Sequence, residues 1–100
     1  MPKAREKARQ ATDNRLIVIG KRLQTIRKWR GFTQKELGEK IGLTREAIAS
    51  YEAGRSQLMI ITLLDMSAAL RVSVNEILGL EHKTTEIAMT RRWAKRLDII

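Results

Sequence analysis

The sequence contains no cysteine, a single proline, a single histidine and four aromatic side chains in 100 residues. Without cysteine there is neither a disulfide frame nor a thiolate metal site. With His82 as the one histidine, most metal-ligand sets and most Ser–His or Cys–His schemes are removed. The proline is Pro2, so nothing further along the chain interrupts a helix by removing an amide donor. Acids are also scarce, with 11 Asp and Glu against 20 Lys and Arg and a net charge of +9. That balance implies a polyanionic partner or an acidic membrane surface without choosing between them. Long apolar runs are missing as well. Leu58 to Leu64, LMIITLL, falls far short of the roughly 20 residues that cross a bilayer, and Leu16 to Ile19 is too short for a signal-peptide core. These absences set the expectation of a soluble, cytoplasmic protein with no metal, no cofactor and no membrane partner. No nucleophile–base pair, metal cluster or phosphate-binding glycine loop suggests an enzyme.

The length suits one domain with a modest core. Residues 1–14 are polar and basic, with Lys3, Arg5, Lys7 and Arg9 against Glu6 and Asp13, and they carry no apolar stripe. They read as a flexible basic arm with at most nascent helix, either a solvated tail or an arm that follows phosphates or enters a minor groove. From Leu16 a helix is expected, with Ile19, Leu23 and Ile26 on one face and Gly31 as its left-handed C-cap. Thr33 and Glu36 form a capping box that opens a second helix, whose inner face is Leu37 and Ile41. Gly42 turns the chain, and Thr44 caps a third helix that runs through Glu52 with Ile48 facing inward. A fourth helix follows from about Met59 to Leu70, with Ile60, Leu63, Leu64, Ser67 and Leu70 as its stripe. Ser73 and Glu76 open a short fifth helix closed by Gly79. Thr85 to Leu97 is expected as a sixth, with Met89, Trp93, Leu97 and Ile100 on one side. No alternating-period strand stands out, so the fold class is all-α.

Thr33 to Gly54, TQKELGEKIGLTREAIASYEAG, concentrates Glu36, Glu39, Glu46 and Glu52 inside a basic chain. Two short helices joined at a glycine turn suggest helix-turn-helix geometry. Gly38, in mid-helix, costs about 1 kcal/mol relative to alanine; a closely crossing second helix is a sufficient reason to accept that cost. The longer run, IGKRLQTIRKWRGFTQKELGEKIGLTREAIASYEAGRSQ and ITLLDMSAALRVSVNEILGL, resembles the Cro/phage-repressor type of helix-turn-helix domain, the XRE family. The resemblance covers about Leu16 to Leu80. It rests on the arginine before the turn, TQ at the second helix, the small residue, the turn glycine and I-x-x-Y-E-x-G.

The resemblance implies a five-helix, lambda-repressor-like DNA-binding domain over residues 15–80, acting as a dimer on a two-fold operator. To it this chain adds the basic arm, 1–14, and a C-terminal amphipathic helix, 81–100, as a dimerisation or packing element. By the same resemblance Arg45, Glu46 and Ser50 would read base edges. Gln34, Arg55, Lys35 and Lys40 would hold phosphates, and Glu52 would pair with Arg27 to tie the third helix to the first. Glu46 departs from the polar-neutral residue often found at its position, so it braces Arg45 or repels wrong sequences as readily as it accepts from cytosine. Trp29, Tyr51 and Trp93 are expected as packing residues.

Leu58, Met59 and Ile61 stand where the family often has proline and polar residues. They give the fourth helix a second oily face, which either marks a partner surface or is covered by Trp93 and Leu97 of the sixth helix. Arg91, Arg92, Lys95 and Arg96 make that last segment basic as well, either as a solvated face or as a membrane-surface type of helix. The leading reading is a sequence-specific regulator of transcription, a repressor, that binds double-stranded DNA as a homodimer. Its rivals are an antitoxin-like module that binds another protein through the fourth and sixth helices, with only autoregulatory DNA contact, and a sequence-independent nucleic-acid binder.

Overall fold

A computed structural model describes residues 2–80, and His82 and the expected sixth helix, with Trp93 and Leu97, lie outside the described residues. Five helices follow one another: α1 (Pro2–Trp29), α2 (Gln34–Ile41), α3 (Arg45–Glu52), α4 (Ile60–Leu70) and α5 (Val74–Leu78). No described helix is long and apolar enough to cross a membrane. The helix ends follow local chemistry. The Thr33 hydroxyl accepts from the Glu36 amide at 3.0 Å while the Glu36 carboxylate accepts from the Thr33 amide at 2.9 Å. Thr44 caps α3 through the Ala47 amide, and Ser73 caps α5 through the Glu76 amide. Gly42, with φ +74°, supplies the left-handed residue between α2 and α3.

The core is Leu23, Leu37, Ile48, Met66, Leu70, Val72 and Ile77, to which every helix contributes directly or from its flank. Glycines set the closest crossings. A Cβ on Gly38 would lie 2.5 Å from the Leu43 carbonyl oxygen, and one on Gly20 would lie 2.4 Å from that of Glu52. Only a hydrogen at these positions lets α2 approach the turn before α3, and α1 the end of α3, so closely. Arg22 ties α1 to α5 by donating from Nε and Nη2 to the Glu76 carbonyl at 3.0 and 2.7 Å.

Four expectations are corrected. Residues 2–14, expected as a flexible arm with at most nascent helix, form the first half of α1. Ala, Arg, Lys, Glu and Gln dominate there, all strong helix formers, and each residue added to a helix already anchored by its later turns gains a hydrogen bond without a new nucleation cost. Secondly, α4 is rotated from the expected stripe. Met66 and Leu70 are buried, Leu63 and Ser67 are half-buried, and Ile60 and Leu64 are 75% and 51% exposed. The helix is apolar on two faces, so spacing alone did not choose the inner one. Thirdly, Leu58 is not part of the exposed patch but packs against the core. Lastly, Trp29 is 71% exposed instead of packed, with the Arg30 guanidinium 4.4 Å over its ring.

Candidate nucleic-acid interface

Two helices, each of eight residues, meet across Gly42, and α3 lies against α1 and α2 through one side only. Ile48 is fully buried on that side and Tyr51 is half-buried beside it. Arg45 and Glu46 project outward from the first turn of α3. Glu46 is well placed near a positive helix end, which accounts for an acid there without any base contact. Ser50 is half-buried, and its Oγ lies 2.6 Å from the Ser56 Oγ in the loop after α3.

The join between α3 and the scaffold is ionic. Arg27 and Glu52, with side chains 7% and 2% exposed, are paired through Nε and Oε2 at 2.5 Å. Arg27 Nη2 donates to Glu52 Oε1 at 3.0 Å, and Nη1 donates to the Phe32 carbonyl at 2.7 Å. Gln34 completes the cluster, its side-chain amide donating to Glu52 Oε1 at 3.0 Å. This bond had no signal in the sequence. It turns the Gln34 side chain toward α3.

The N-terminus of α2 is therefore divided. Of its orphan amides, those of Thr33 and Glu36 are satisfied by the capping box, while those of Gln34 and Lys35 have no protein acceptor among the described residues. The Thr33 amide, and after it the Thr33 hydroxyl, hold the exposed Glu36 carboxyl below the usual glutamate range. Gln34 and Lys35 line an open hollow of about 490 Å³ together with Lys28, Phe32, Thr33 and Arg45. Besides Arg27, which is paired with Glu52, the hollow gathers Lys28, Lys35 and Arg45 from three helices. Lys28, in the last turn of α1, is the one that sequence reading missed.

The other residues of interest sit elsewhere. Lys40 lines a separate hollow with Ile41, Asp65, Ala68 and Ala69, and its ammonium lies 5.5 Å over the Phe32 ring. Lys35 is 4.0 Å from Glu39 in an exposed pair, of a kind that contributes little. Arg55 is exposed directly after α3, its amide bonded to the Ser50 carbonyl. Met59, at the N-cap of α4, and Ile60, Ile61 and Leu64, on the helix, form an outward apolar face, each more than half exposed.

A capped helix, a left-handed glycine and a second helix braced by a buried ion pair define a helix-turn-helix domain. The chain belongs to the helix-turn-helix family, whose pattern it matches over residues 23–77. It is 37% identical over 65 residues to the immunity repressor protein of Bacillus phage phi105, covering 65% of this chain and 45% of that protein. It is 35% identical over 68 residues to the HTH-type transcriptional regulator SinR of Bacillus subtilis, covering 67% of this chain and 61% of SinR. The chain thus spans about half the length of the curated relatives it matches. Among solved structures, the restriction-modification controller protein C.AhdI of Aeromonas hydrophila superposes with a TM-score of 0.63 at 26% identity, over 65% of this chain and 94% of that one.

Proposed function

We propose that this chain is a sequence-specific double-stranded DNA-binding regulator of transcription, a repressor, whose α3 enters the major groove. One observation carries the reading: two unpaired amides at the start of α2, with Lys28, Lys35 and Arg45, line a single open hollow beside the outward face of α3. Amides at a positive helix end, flanked by cations, suit a phosphate, and the exposed Arg45 at the start of α3, on the same hollow, suits the O6 and N7 of guanine. Arg45, Glu46 and Ser50 read bases, while Gln34 through its backbone, Lys35 and Arg55 hold the backbone of the duplex. Lys40, on the α4 side, is a weaker candidate for that role. Two protomers would set their α3 helices in successive major grooves about 34 Å apart. The similarity to a phage immunity repressor and to SinR supports the same reading.

Selection of bound fragments from random duplexes tests it. The expected result is a two-fold consensus, with Arg45→Ala relaxing preference at one position and Lys35→Gln weakening all duplexes alike. Recovery of no consensus, or an even loss for both variants on every duplex, would falsify sequence-specific recognition.

The apolar face of α4 favours a second reading, an antitoxin-like module that binds another protein there. A homodimer by sedimentation supports the regulator. A stoichiometric non-self partner that buries Ile61 and Leu64 supports the module.

A further inference from the structure

From Lys3 to Arg15 every residue of α1 is exposed, and this part of the helix touches no other element through a buried face. It carries Lys3, Arg5, Lys7, Arg9 and Arg15 against Glu6 and Asp13. A helix of this length is marginal in water by itself, and with no apolar stripe it offers nothing to a protein core. Its charge suits a polyanion.

Two contacts fix where it goes. The later end of α1 supplies Lys28 to the hollow beside Arg45, at the start of α3. Further back, a Cβ on Gly54, just past the end of α3, would lie 2.7 Å from Ile17 Cα. α1 therefore meets the C-terminal end of α3, where Gly20 and Arg27 also lie against Glu52, and everything before Ile17 continues past that contact.

The helical period fixes which side chains face which way. Gly20, Leu23 and Arg27 turn toward α3 and the core. Stepping back from Gly20 at helical spacing leads through half-buried Leu16 to Arg9 and then Arg5. Lys3 and Lys7 fall on the opposite side. No ion pair joins Arg5 or Arg9 to Glu6 or Asp13 among the described residues.

Height and reach agree with a backbone contact. Packed helices lie about 8–10 Å apart, and a major groove is about 8.5 Å deep. With α3 seated in the groove, the bordering phosphate ridge rises to about the level of α1. At about 1.5 Å per residue, Arg9 and Arg5 stand roughly 12 and 18 Å beyond Ile17, past the end of α3 and over that ridge. We propose that Arg5 and Arg9 form a second phosphate-binding face, on the overrunning half of α1, that grips the backbone flanking the site read by α3. This rests on the DNA reading above.

The test uses the full chain and a duplex recovered by the selection described above, and compares two variants of equal charge. Arg5→Gln/Arg9→Gln is expected to weaken binding several-fold, to lower the slope of log affinity against log salt by about 1.8, and to shorten the protected footprint at its outer edge. Lys3→Gln/Lys7→Gln is expected to change none of these by more than a small fraction, and circular dichroism should show equal helix content in both. Equal losses in the two variants would reduce the effect to net charge and overturn the proposal, as would an unchanged slope in Arg5→Gln/Arg9→Gln. If selection recovers no bound duplex from wild type, the DNA reading itself fails, which is a distinguishable result.

Discussion

Gln34, the first residue of α2, donates its side-chain amide to the same Glu52 oxygen that receives Arg27 Nη2. One carboxylate thus holds α1, α2 and α3 in register, and the charged pair is screened from water. Removing either partner strands a buried charge at a cost of roughly 3–5 kcal/mol. Glu52→Gln is therefore expected to lower stability in urea denaturation by that order, with little sensitivity to added salt. A double replacement, Arg27→Met with Glu52→Leu, should cost clearly less than the sum of the single changes, because no charge is left behind. Additive losses would show that the pair does not act as a unit.

Backbone approach makes a second prediction. Gly38→Ala gains about 1 kcal/mol of helix propensity but sets a methyl 2.5 Å from the Leu43 carbonyl oxygen, a backbone atom that has no rotamer to yield. Overpacking of this kind costs about 1–3 kcal/mol or more, so the melting temperature should fall. Gly20→Ala, 2.4 Å from the Glu52 carbonyl, should behave likewise. A neutral or stabilised Gly38→Ala would mean that α2 and α3 can move apart freely.

The α2 cap gives a pH signature. Because the Glu36 carboxyl is held below its ordinary value of 4.5, its contribution is present above that value and is lost as pH falls through the lowered folded-state value. Glu36→Gln keeps a side-chain acceptor for the Thr33 amide without the charge. The stability difference between wild type and Glu36→Gln should therefore shrink steadily on acidification below about pH 4.5. A difference that stays flat with pH would separate the cap from ionisation.

Ser56 positions Ser50. Its hydroxyl is 2.6 Å from that of Ser50, so Ser56→Ala frees a side chain on the face proposed to read bases. Discrimination at one base pair should fall by about 1 kcal/mol, with non-specific binding unchanged. Competition between the consensus duplex and its single-position variants measures it. Uniform weakening on all duplexes would instead make Ser56 a backbone contact.

The α4 face predicts assembly. Ile61→Lys/Leu64→Lys replaces outward apolar groups, so thermal stability of the monomer should hold within about 0.5 kcal/mol. Self-association by sedimentation equilibrium, and with it cooperative occupancy of a two-fold site, should be lost. Persistence of the dimer would move its interface elsewhere.

Much of this architecture was legible because its signals are local. Thr33, Thr44 and Ser73 each bond an amide three residues on, so a short window of sequence contains the whole interaction. Gly38 and Ile48 were legible from the cost of one and the apolarity of the other. What escaped depends on distant partners. Nothing near Gln34 in sequence announces Glu52, and nothing in α4 chooses Met66 over Ile60 when both faces are oily. The N-terminal half of α1 was misread because an apolar stripe was required of a helix that grows outward from an anchored one. Lys28 escaped because its place on the hollow depends on how α1 ends against α2 and α3.

Arg45 and Glu46 stand on the outer side of α3, while everything that keeps the helix in place, Ile48, Glu52 and the glycine crossings, lies on its inner side. Under the proposed reading, support and selectivity fall to different residues of one short segment. Exchanging the outward pair is then expected to redirect the protein to another duplex while leaving its melting behaviour nearly untouched, so that a scaffold of this kind acquires new targets in very few mutational steps.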